Sequence, residues 1–198
     1  MKTKNVYLVR HGESEGNARR LVKGSPADRL TSKGRKQVLG LKALLEGYSL
    51  RLLKVMSSTM LRTIETFELF DLLSELMKYP ELKETDAGLV SEWSLEEFNR
   101  KYEDFWTNFD PNRKFPGEES HSEIYKRVIS FVKADLENEN EKEIMIMGYA
   151  GTISSIFQWA YGVPIRYFSK FVVSNASLSV LEIDSVNAPP CLTVFNIN

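Results

Sequence analysis

The sequence predicts an α/β fold with a three-layer α/β/α architecture around a mainly parallel sheet. Three apolar runs, at residues 6–9, 52–56 and 143–147, have the length and composition of buried strands. Each run is followed by a turn and then by a segment of helical periodicity, and no long linker or internal repeat interrupts this alternation. The 198 residues fit a single domain, residues 1–198, that can bury a sizeable core.

The composition excludes several classes of function. The 26 basic and 27 acidic residues leave a net charge of −1, which gives no general attraction to nucleic acid or to an anionic membrane. No apolar run has the length of a membrane span. The single cysteine, Cys191, cannot form an internal disulfide, and one cysteine with two histidines matches no familiar zinc site. We therefore expect a cytoplasmic protein.

The first apolar run ends in side chains that are suited to phosphate. Residues 6–9 read Val-Tyr-Leu-Val, and Arg10, His11 and Gly12 follow directly. In open α/β sheets, ligands bind just outside the carboxyl ends of the strands. Arg10 offers a forked cation, His11 a nitrogen nucleophile that is neutral near pH 7, and Asn17 an amide donor a short loop away. This strand end is therefore a candidate anion site.

A long polar loop at about residues 12–31 leads into the first helix pattern. Loops of this length in a compact domain are usually functional. Ser32 is a candidate N-cap, and for Gly34 and Gln37, early in this helix, a packing role and a ligand role both stay open. The apolar residues of the helix are Val38, Leu41 and Leu45.

The second apolar run leads into a helix that carries an arginine in its first turn. Ser58 is the candidate N-cap of this helix. An anion at this point would meet the free N–H groups of the helix N-terminus as well as the guanidinium group of Arg62. The predicted apolar face comprises Ile64, Phe67, Phe70 and Leu73.

Aromatic residues are concentrated between positions 92 and 116, with basic residues interleaved. Two interpretations stay open for this segment: helices that pack on the domain, or a lid over the site. Beyond it, Ser120 and Glu123 have the spacing of a capping box, which predicts the start of a helix. His121 then lies partly exposed in the first helical turn, where a helix-start residue is the simplest interpretation and a catalytic role is the alternative.

The third apolar run ends in a turn of small residues. The sequence at residues 148–152 reads GYAGT and continues into an apolar helix pattern. A strand, a small-residue turn and a helix N-terminus together form a natural phosphate cradle. Short segments typical of strands follow, within residues 171–198.

Four motifs resemble those of the histidine phosphatase superfamily, the phosphoglycerate mutase-like proteins. The first strand of that family ends in Arg-His-Gly-Glu with an Asn beyond, as at residues 10–13 and Asn17. The family motif Ser-Ser-x-x-x-Arg-x-x-x-Thr is similar to residues 57–66, and Leu-x-Glu to residues 82–84. Its Gly-Thr-Ile occurs at residues 151–153. The resemblance covers nearly the whole chain and implies a phosphoglycerate mutase-like fold.

The resemblance implies a role for each residue of the candidate site. His11 is expected to be the nucleophile that takes the phosphoryl group, and Glu84 the acid that protonates the leaving oxygen. Arg10, Asn17 and Arg62 are expected to bind the phosphate. The implied reaction is hydrolysis of a phosphomonoester through a phosphohistidine intermediate, without a metal or other cofactor.

Tyr149 is the most consequential departure from the family pattern. The family carries Ser-His-Gly-Gly-Thr-Ile where this chain reads GYAGTI, so that Tyr149 takes the place of the second active-site histidine. A tyrosine hydroxyl can bind phosphate through one hydrogen bond, but it is neutral at pH 7. Because a charge-assisted hydrogen bond is roughly twice as strong as a neutral one, we expect a slow or specialised phosphatase.

Two other functions stay open. A pseudo-phosphatase would bind phosphorylated ligands or partners without turnover, and a phosphoglycerate mutase would be similar in sequence but longer, with extra basic residues. The expected partner is a small phosphorylated substrate or phosphate, and neither nucleic acid nor membrane, while the oligomeric state is left unknown. Selectivity in this family resides in the lid, which corresponds here to a lid-like excursion at about residues 86–116.

Overall fold

A six-stranded sheet forms the centre of the fold. The computed structural model describes residues 3–46, 53–85, 87–138, 141–167 and 171–198. Its strands are β1 (Lys4–Arg10), β2 (Leu53–Ser57), β3 (Leu76–Lys78), β4 (Glu143–Gly148), β5 (Leu178–Ile183) and β6 (Cys191–Ile197). The strand order is β3-β2-β4-β1-β5-β6; the first four strands run parallel, and β5 and β6 are antiparallel to their neighbours.

Helices cover both faces of this sheet and confirm the predicted α/β/α architecture. The α-helices are α1 (Glu15–Ala18), α2 (Ser32–Leu45), α3 (Leu61–Phe70), α4 (Leu95–Lys101), α5 (His121–Asn138) and α6 (Ala150–Ala160), and 3-10 turns lie at Pro80–Leu82 and Gly88–Val90. Alternate residues of β1 point to opposite faces. Val6 and Leu8 join the apolar cluster that includes α5 and α6, whereas Tyr7 and Val9 join the cluster that includes α2 and α3.

The predicted strands agree with the structure to within a few residues. The first, at 6–9, lies inside β1, and the third, at 143–147, is one residue shorter than β4. The second was predicted at 52–56, and β2 extends one residue beyond this prediction. Residue 52, at the start of the predicted strand, lies outside the described residues. Residue 86, at the start of the predicted lid, also lies outside them. The predicted loop at 12–31 contains the short helix α1.

Two of the helix starts test the capping predictions. The prediction that Ser32 caps α2 is wrong by one residue, because the hydroxyl of Thr31 accepts from the backbone N–H of Gly34 at 3.0 Å. The capping box before α5 is confirmed. The backbone N–H of Ser120 donates to the Glu123 carboxylate at 2.7 Å, and the backbone N–H of Glu123 donates to the Ser120 hydroxyl at 3.2 Å.

The third helix differs most from its prediction. Ser58 is not its N-cap; that position is Met60, whose backbone N–H donates to the Ser58 hydroxyl at 3.2 Å. The predicted apolar face is too long, because Asp71 adopts a left-handed conformation that ends the helix and leaves Leu73 fully exposed. The helix buries polar residues at its start instead. They are Arg62, Thr63, Glu65 and Thr66.

A small third apolar cluster is separate from the two clusters on the faces of the sheet. Its buried members are Ala87, Val90 and Phe98, and the half-buried residues packed against them include Val22, Trp93, Tyr102, Phe105 and Phe115. Its aromatic members all lie in the segment 92–116 that the sequence identified as aromatic-rich, whereas Val22, Ala87 and Val90 lie outside that segment. Among the described residues, we find no helix that combines the length and the hydropathy of a membrane span.

Candidate active site

Neighbouring strands of the sheet end side by side and bring the motif residues together. β4 lies between β1 and β2, and the register pairs Arg10 with Gly148. His11 and Tyr149 therefore follow their strands at the same level, and their rings meet edge to face at 5.2 Å. The N-terminus of α3, which carries Arg62, adjoins them. The site thus lies at the carboxyl edge of the sheet, as the fold class leads one to expect.

His11 is buried, and the backbone sets its tautomer. Its Nδ1 atom lies 2.7 Å from the carbonyl oxygen of Gly12, which can only accept a hydrogen bond. The proton therefore resides on Nδ1, and Nε2 keeps its lone pair. Burial, and then the positive charges of Arg62 and Arg10, lower the pKa of His11 well below its usual 6.5. The ring is neutral at pH 7, with Nε2 available as a nucleophile.

The two arginines are held by backbone carbonyl groups. Arg62 is buried and donates from Nη1 to the carbonyl oxygen of Ser25 at 2.9 Å. Arg10 donates from Nη1 to the carbonyl oxygen of Val173 at 2.6 Å. Its buried Nε atom has no hydrogen-bond partner among the described residues, and a bound anion could supply that partner.

Tyr149 is fully buried, and a chain of hydroxyl groups engages its proton. Its hydroxyl lies 2.5 Å from the Ser58 hydroxyl, which lies 3.0 Å from that of Thr63, and the Thr63 hydroxyl donates to the carbonyl oxygen of Met60 at 2.8 Å. Because Thr63 uses its proton there, Ser58 donates to Thr63, and Tyr149 donates to Ser58. Burial raises the pKa of Tyr149 to about 12, so the phenol keeps this proton. Its ring faces the guanidinium of Arg62 at 4.7 Å.

Glu84 lies just beyond the 3-10 turn at Pro80–Leu82 and approaches the start of α6. A Cβ atom at Gly151 would lie 2.9 Å from Glu84 Oε1, so the glycine permits this approach. Burial raises the pKa of Glu84, although the positive charges of Arg62 and Arg10 oppose the shift. Glu84 therefore carries a proton at higher pH than an ordinary glutamate.

Asn17 joins the site through the loop that follows β1. Its amide oxygen accepts from the backbone N–H of Ser14 at 3.2 Å and from the Asn175 amide at 3.1 Å. The same Asn175 amide donates to the carbonyl oxygen of His11 at 3.2 Å. Because its oxygen is used within the protein, the NH₂ group is the part of Asn17 that can donate to an anion.

A cavity of about 480 Å³ opens onto these groups. Arg10, Asn17 and Glu84 line it, whereas His11, Arg62 and Tyr149 are buried beside these residues. The structure therefore brings together all six residues that the sequence singled out. Within the described part of the chain, no cluster of three or more His, Cys, Asp or Glu side chains could hold a metal ion.

His121 also lines this cavity, which the sequence did not predict. The histidine is half-buried, its Nε2 atom lies 3.3 Å from the side-chain oxygen of Gln158, and its ring meets that of Phe109 at 5.4 Å. Burial lowers its pKa, so the ring is neutral at pH 7. The expected partial exposure at the start of a helix is confirmed, and the choice between a structural and a catalytic role stays open.

Other residues support the site from outside it. The side-chain oxygen of Gln37 accepts from the backbone N–H of Glu13 at 3.0 Å, and the Gly12 N–H donates to Thr66 at 3.3 Å. A Cβ atom at Gly34 would meet the Glu13 carbonyl oxygen at 2.1 Å. Gly34 and Gln37 thus have packing roles. Sequence reasoning did not assign Asn175 to the site, because its contact with His11 spans 164 residues.

The fold and this strand-end site are those of an α/β protein with a candidate anion site, and comparison with known proteins identifies its family. The chain belongs to the histidine phosphatase superfamily (branch 1), whose profile matches residues 6–192.

Several of the proteins that the chain resembles are named as phosphatases. Phosphoserine phosphatase 1 of Hydrogenobacter thermophilus is 30% identical over 187 residues, which cover 90% of this chain and 86% of that protein. The 6-phosphofructo-2-kinase/fructose-2,6-bisphosphatase of Gallus gallus is 30% identical over 145 residues, which cover 72% of this chain and 29% of that longer protein. A mycobacterial glucosyl-3-phosphoglycerate phosphatase, solved with VO₃, shares the fold with a TM-score of 0.85 at 19% identity, covering 98% of this chain and 100% of that one.

Proposed function

We propose that this protein is a phosphatase that hydrolyses small phosphomonoesters through a phosphohistidine intermediate on His11, without a metal ion. The observation that carries the proposal is the state of His11. Its ring is buried and neutral, Gly12 binds its Nδ1–H group, and two arginines lie close by. Membership of the family, and relatives that are named as phosphatases, support the reaction class.

In the first step, Nε2 of His11 attacks phosphorus in line, and the Nε2–P bond forms as the P–O bond of the ester breaks. Arg10, Arg62 and Asn17 bind the phosphoryl oxygens and offset their charge. Glu84 gives its proton to the leaving oxygen, so that a neutral alcohol departs. Water then attacks phosphorus, the P–N bond breaks, and Glu84 takes up a proton from the water as phosphate leaves.

In this proposal Tyr149 replaces the second histidine of the family and makes turnover slow. Its hydroxyl proton is engaged by Ser58, so in this arrangement it donates nothing to the phosphoryl group. Loss of one such donor costs about 10²–10³ in rate. The ring still packs against His11 and Arg62, which favours retention of their geometry.

The segment at about residues 87–116 is, in the same proposal, a lid-like excursion of a single domain. Its apolar residues form a cluster of their own rather than joining the clusters on the sheet. Several of them also line the cavity that opens onto Arg10 and Glu84. A lid of this kind would exclude water from the phosphoryl group during the reaction.

Metal-free hydrolysis of p-nitrophenyl phosphate tests the proposal. With EDTA present, the purified protein should release p-nitrophenol, and His11→Ala should abolish the release because the nucleophile is gone. Turnover that is no higher than that of the variant would overturn the proposal that the protein is an enzyme.

One observation favours a second candidate, a pseudo-phosphatase that binds phosphorylated ligands without turnover. The hydroxyl of Tyr149 is hydrogen-bonded to Ser58, and a tyrosine ring packs against the ring of His11. Calorimetry with vanadate measures oxyanion binding, which both candidate functions require. Oxyanion binding without turnover would identify the binding protein, and absence of binding would contradict both candidates.

A further inference from the structure

We infer that the substrate's leaving group is a bulky, uncharged, apolar alcohol, with an aromatic group preferred. The inference rests on the proposed function, because it names the class of alcohol that the same site would release. The observation behind it is the composition of the cavity. Beside a polar end that includes Arg10, Asn17 and Glu84, its lining contains five aromatic side chains from residues 98–115, which we call the aromatic wall.

The aromatic wall is a connected set of rings. Its members are Phe98, Phe105, Trp106, Phe109 and Phe115. The ring centroid of Phe105 lies 5.1 Å from that of Phe98, 4.7 Å from that of Trp106 and 6.2 Å from that of Phe109. Such edge-to-face contacts fix the rings without filling the cavity, and they leave further ring surface for a ligand.

The charges on the wall do not favour a second anionic group on the substrate. Arg113 packs over the ring of Phe105 at 5.2 Å and pairs with Asp104 at 3.9 Å. The carboxylate of Glu119 is bound by Arg127 through two contacts of 2.6 Å. Glu118 also lines the cavity, so the lining carries carboxylates as well as cations.

Of the positive charges that line the polar end, Arg10 is the one expected to hold the phosphate itself. Arg10 and Lys23 line this end, and both lie close enough to Glu84 to oppose the rise in its pKa. His121, on the wall, is neutral at pH 7 and can give only a neutral hydrogen bond.

The size of the cavity points the same way. A volume of about 480 Å³ falls in the usual range for small-molecule sites, which bury most of their ligand. A phosphate on a three-carbon polar alcohol would leave the aromatic wall in contact with water. An apolar group would remove that surface from water and gain the hydrophobic free energy.

A matched series of primary alkyl phosphates tests the inference. 2-Phenylethyl phosphate, ethyl phosphate and O-phosphoserine are all esters of primary alcohols, so they differ mainly in what the wall must accommodate. We expect kcat/KM for 2-phenylethyl phosphate to exceed that for ethyl phosphate by about 10- to 100-fold, and O-phosphoserine to be the poorest substrate.

Substitutions in the aromatic wall test whether the wall is the source of the preference for 2-phenylethyl phosphate. Trp106→Ala and Phe109→Ala should each lower the ratio of kcat/KM between 2-phenylethyl and ethyl phosphate by about 10-fold, because apolar contact area is lost. Phe195→Ala is the matched control, because Phe195 is 45% exposed, Trp106 is 41% exposed, and Phe195 does not line the cavity. The control should keep the wild-type ratio.

The possible outcomes separate this inference from the proposed function. His11-dependent turnover with equal kcat/KM for the two alkyl esters, or with O-phosphoserine preferred, would overturn the inference and leave the phosphatase standing. If no ester is hydrolysed, the phosphatase fails and calorimetry with the corresponding phosphonates decides the inference. Binding of 2-phenylethylphosphonate about 10-fold tighter than ethylphosphonate would support it, and equal affinities would overturn it.

Discussion

Burial shifts the pKa values of His11 and Glu84 in the opposite directions that their proposed roles need. Removal from water disfavours the charged form of either group, so it lowers the pKa of His11 and raises that of Glu84. The nearby arginines reinforce the first shift and oppose the second, and in both cases burial is the larger cause. One pocket thus favours an unprotonated nucleophile beside a protonated acid.

Glu84→Gln should slow the enzyme in a way that depends on the leaving group. An alkoxide needs a proton as it departs, so kcat/KM for ethyl phosphate should fall by about 10²–10⁴. p-Nitrophenolate leaves without one, so its ester should lose about 10-fold or less. In the wild type, activity on ethyl phosphate should fall as the pH rises through the raised pKa of Glu84, above its usual 4.5.

The Glu84 variant should lack that alkaline limb, which pH profiles of kcat/KM for the two proteins would reveal. Glu75→Gln, which alters an exposed carboxylate before β3, is the control and should behave as the wild type. Equal losses on both esters would argue against Glu84 as the general acid.

Tyr149→His should raise kcat if the tyrosine limits turnover. An imidazole can donate a hydrogen bond to a phosphoryl oxygen, and we expect the absence of this donor to slow the wild-type protein. The substitution should therefore raise kcat by about 10-fold or more. Stopped assays on p-nitrophenyl phosphate measure it. Tyr161→His, at a tyrosine that is 37% exposed and outside the cavity, should leave kcat unchanged. An unchanged or lower kcat for Tyr149→His would mean that the pocket has adapted to tyrosine.

At the scale of elements, the sequence predicted the sheet better than the helix ends. The strand runs were identifiable because burial on both faces requires apolar residues at successive positions. The end of α3 was not, because a left-handed Asp71 interrupts a helical pattern that continues to Leu73. The partner of Tyr149 was equally hidden, since its bond to Ser58 depends on how two distant strands pair.

Helix α2 positions the loop that carries His11. Alanine substitutions at two glycines of this helix distinguish the effect of its packing against the loop from the effect of helix propensity. At Gly34→Ala, the new methyl group would meet the Glu13 carbonyl oxygen at 2.1 Å. We expect the free energy of unfolding to fall by about 2 kcal/mol, and kcat to fall by about 10-fold or more as the turn moves. Denaturant titration and the phosphatase assay measure the two effects.

Gly40→Ala is the matched control on the same helix. A Cβ atom at Gly40 has nothing within 4 Å, so the change should stabilise the protein by about 0.5–1 kcal/mol through helix propensity alone. If Gly34→Ala were also stabilising, the close approach of α2 to the loop would not be needed for the fold.

The whole molecule places one site on segments that are far apart in the chain. β1, β2 and β4 supply the strand ends at its base, and residues 171–198 close it with Val173 and Asn175. Sequence motifs identified the strand-end residues because each is local. They could not show which rings form the cavity wall, because these rings come together only when α4 and the segment beyond it fold into a cluster of their own.

Because the site joins these segments, an oxyanion bound there should stabilise the entire fold. Vanadate at about 100 times its dissociation constant should add about 2.7 kcal/mol to the free energy of unfolding, since it binds only the folded state. For a chain of this size, the melting temperature should then rise by about 5–10 °C. Arg62→Gln should lose most of this shift, whereas Arg166→Gln, at an exposed arginine outside the cavity, should keep it. A shift of equal size in both variants would place the bound anion away from Arg62 and contradict its role as a phosphate ligand.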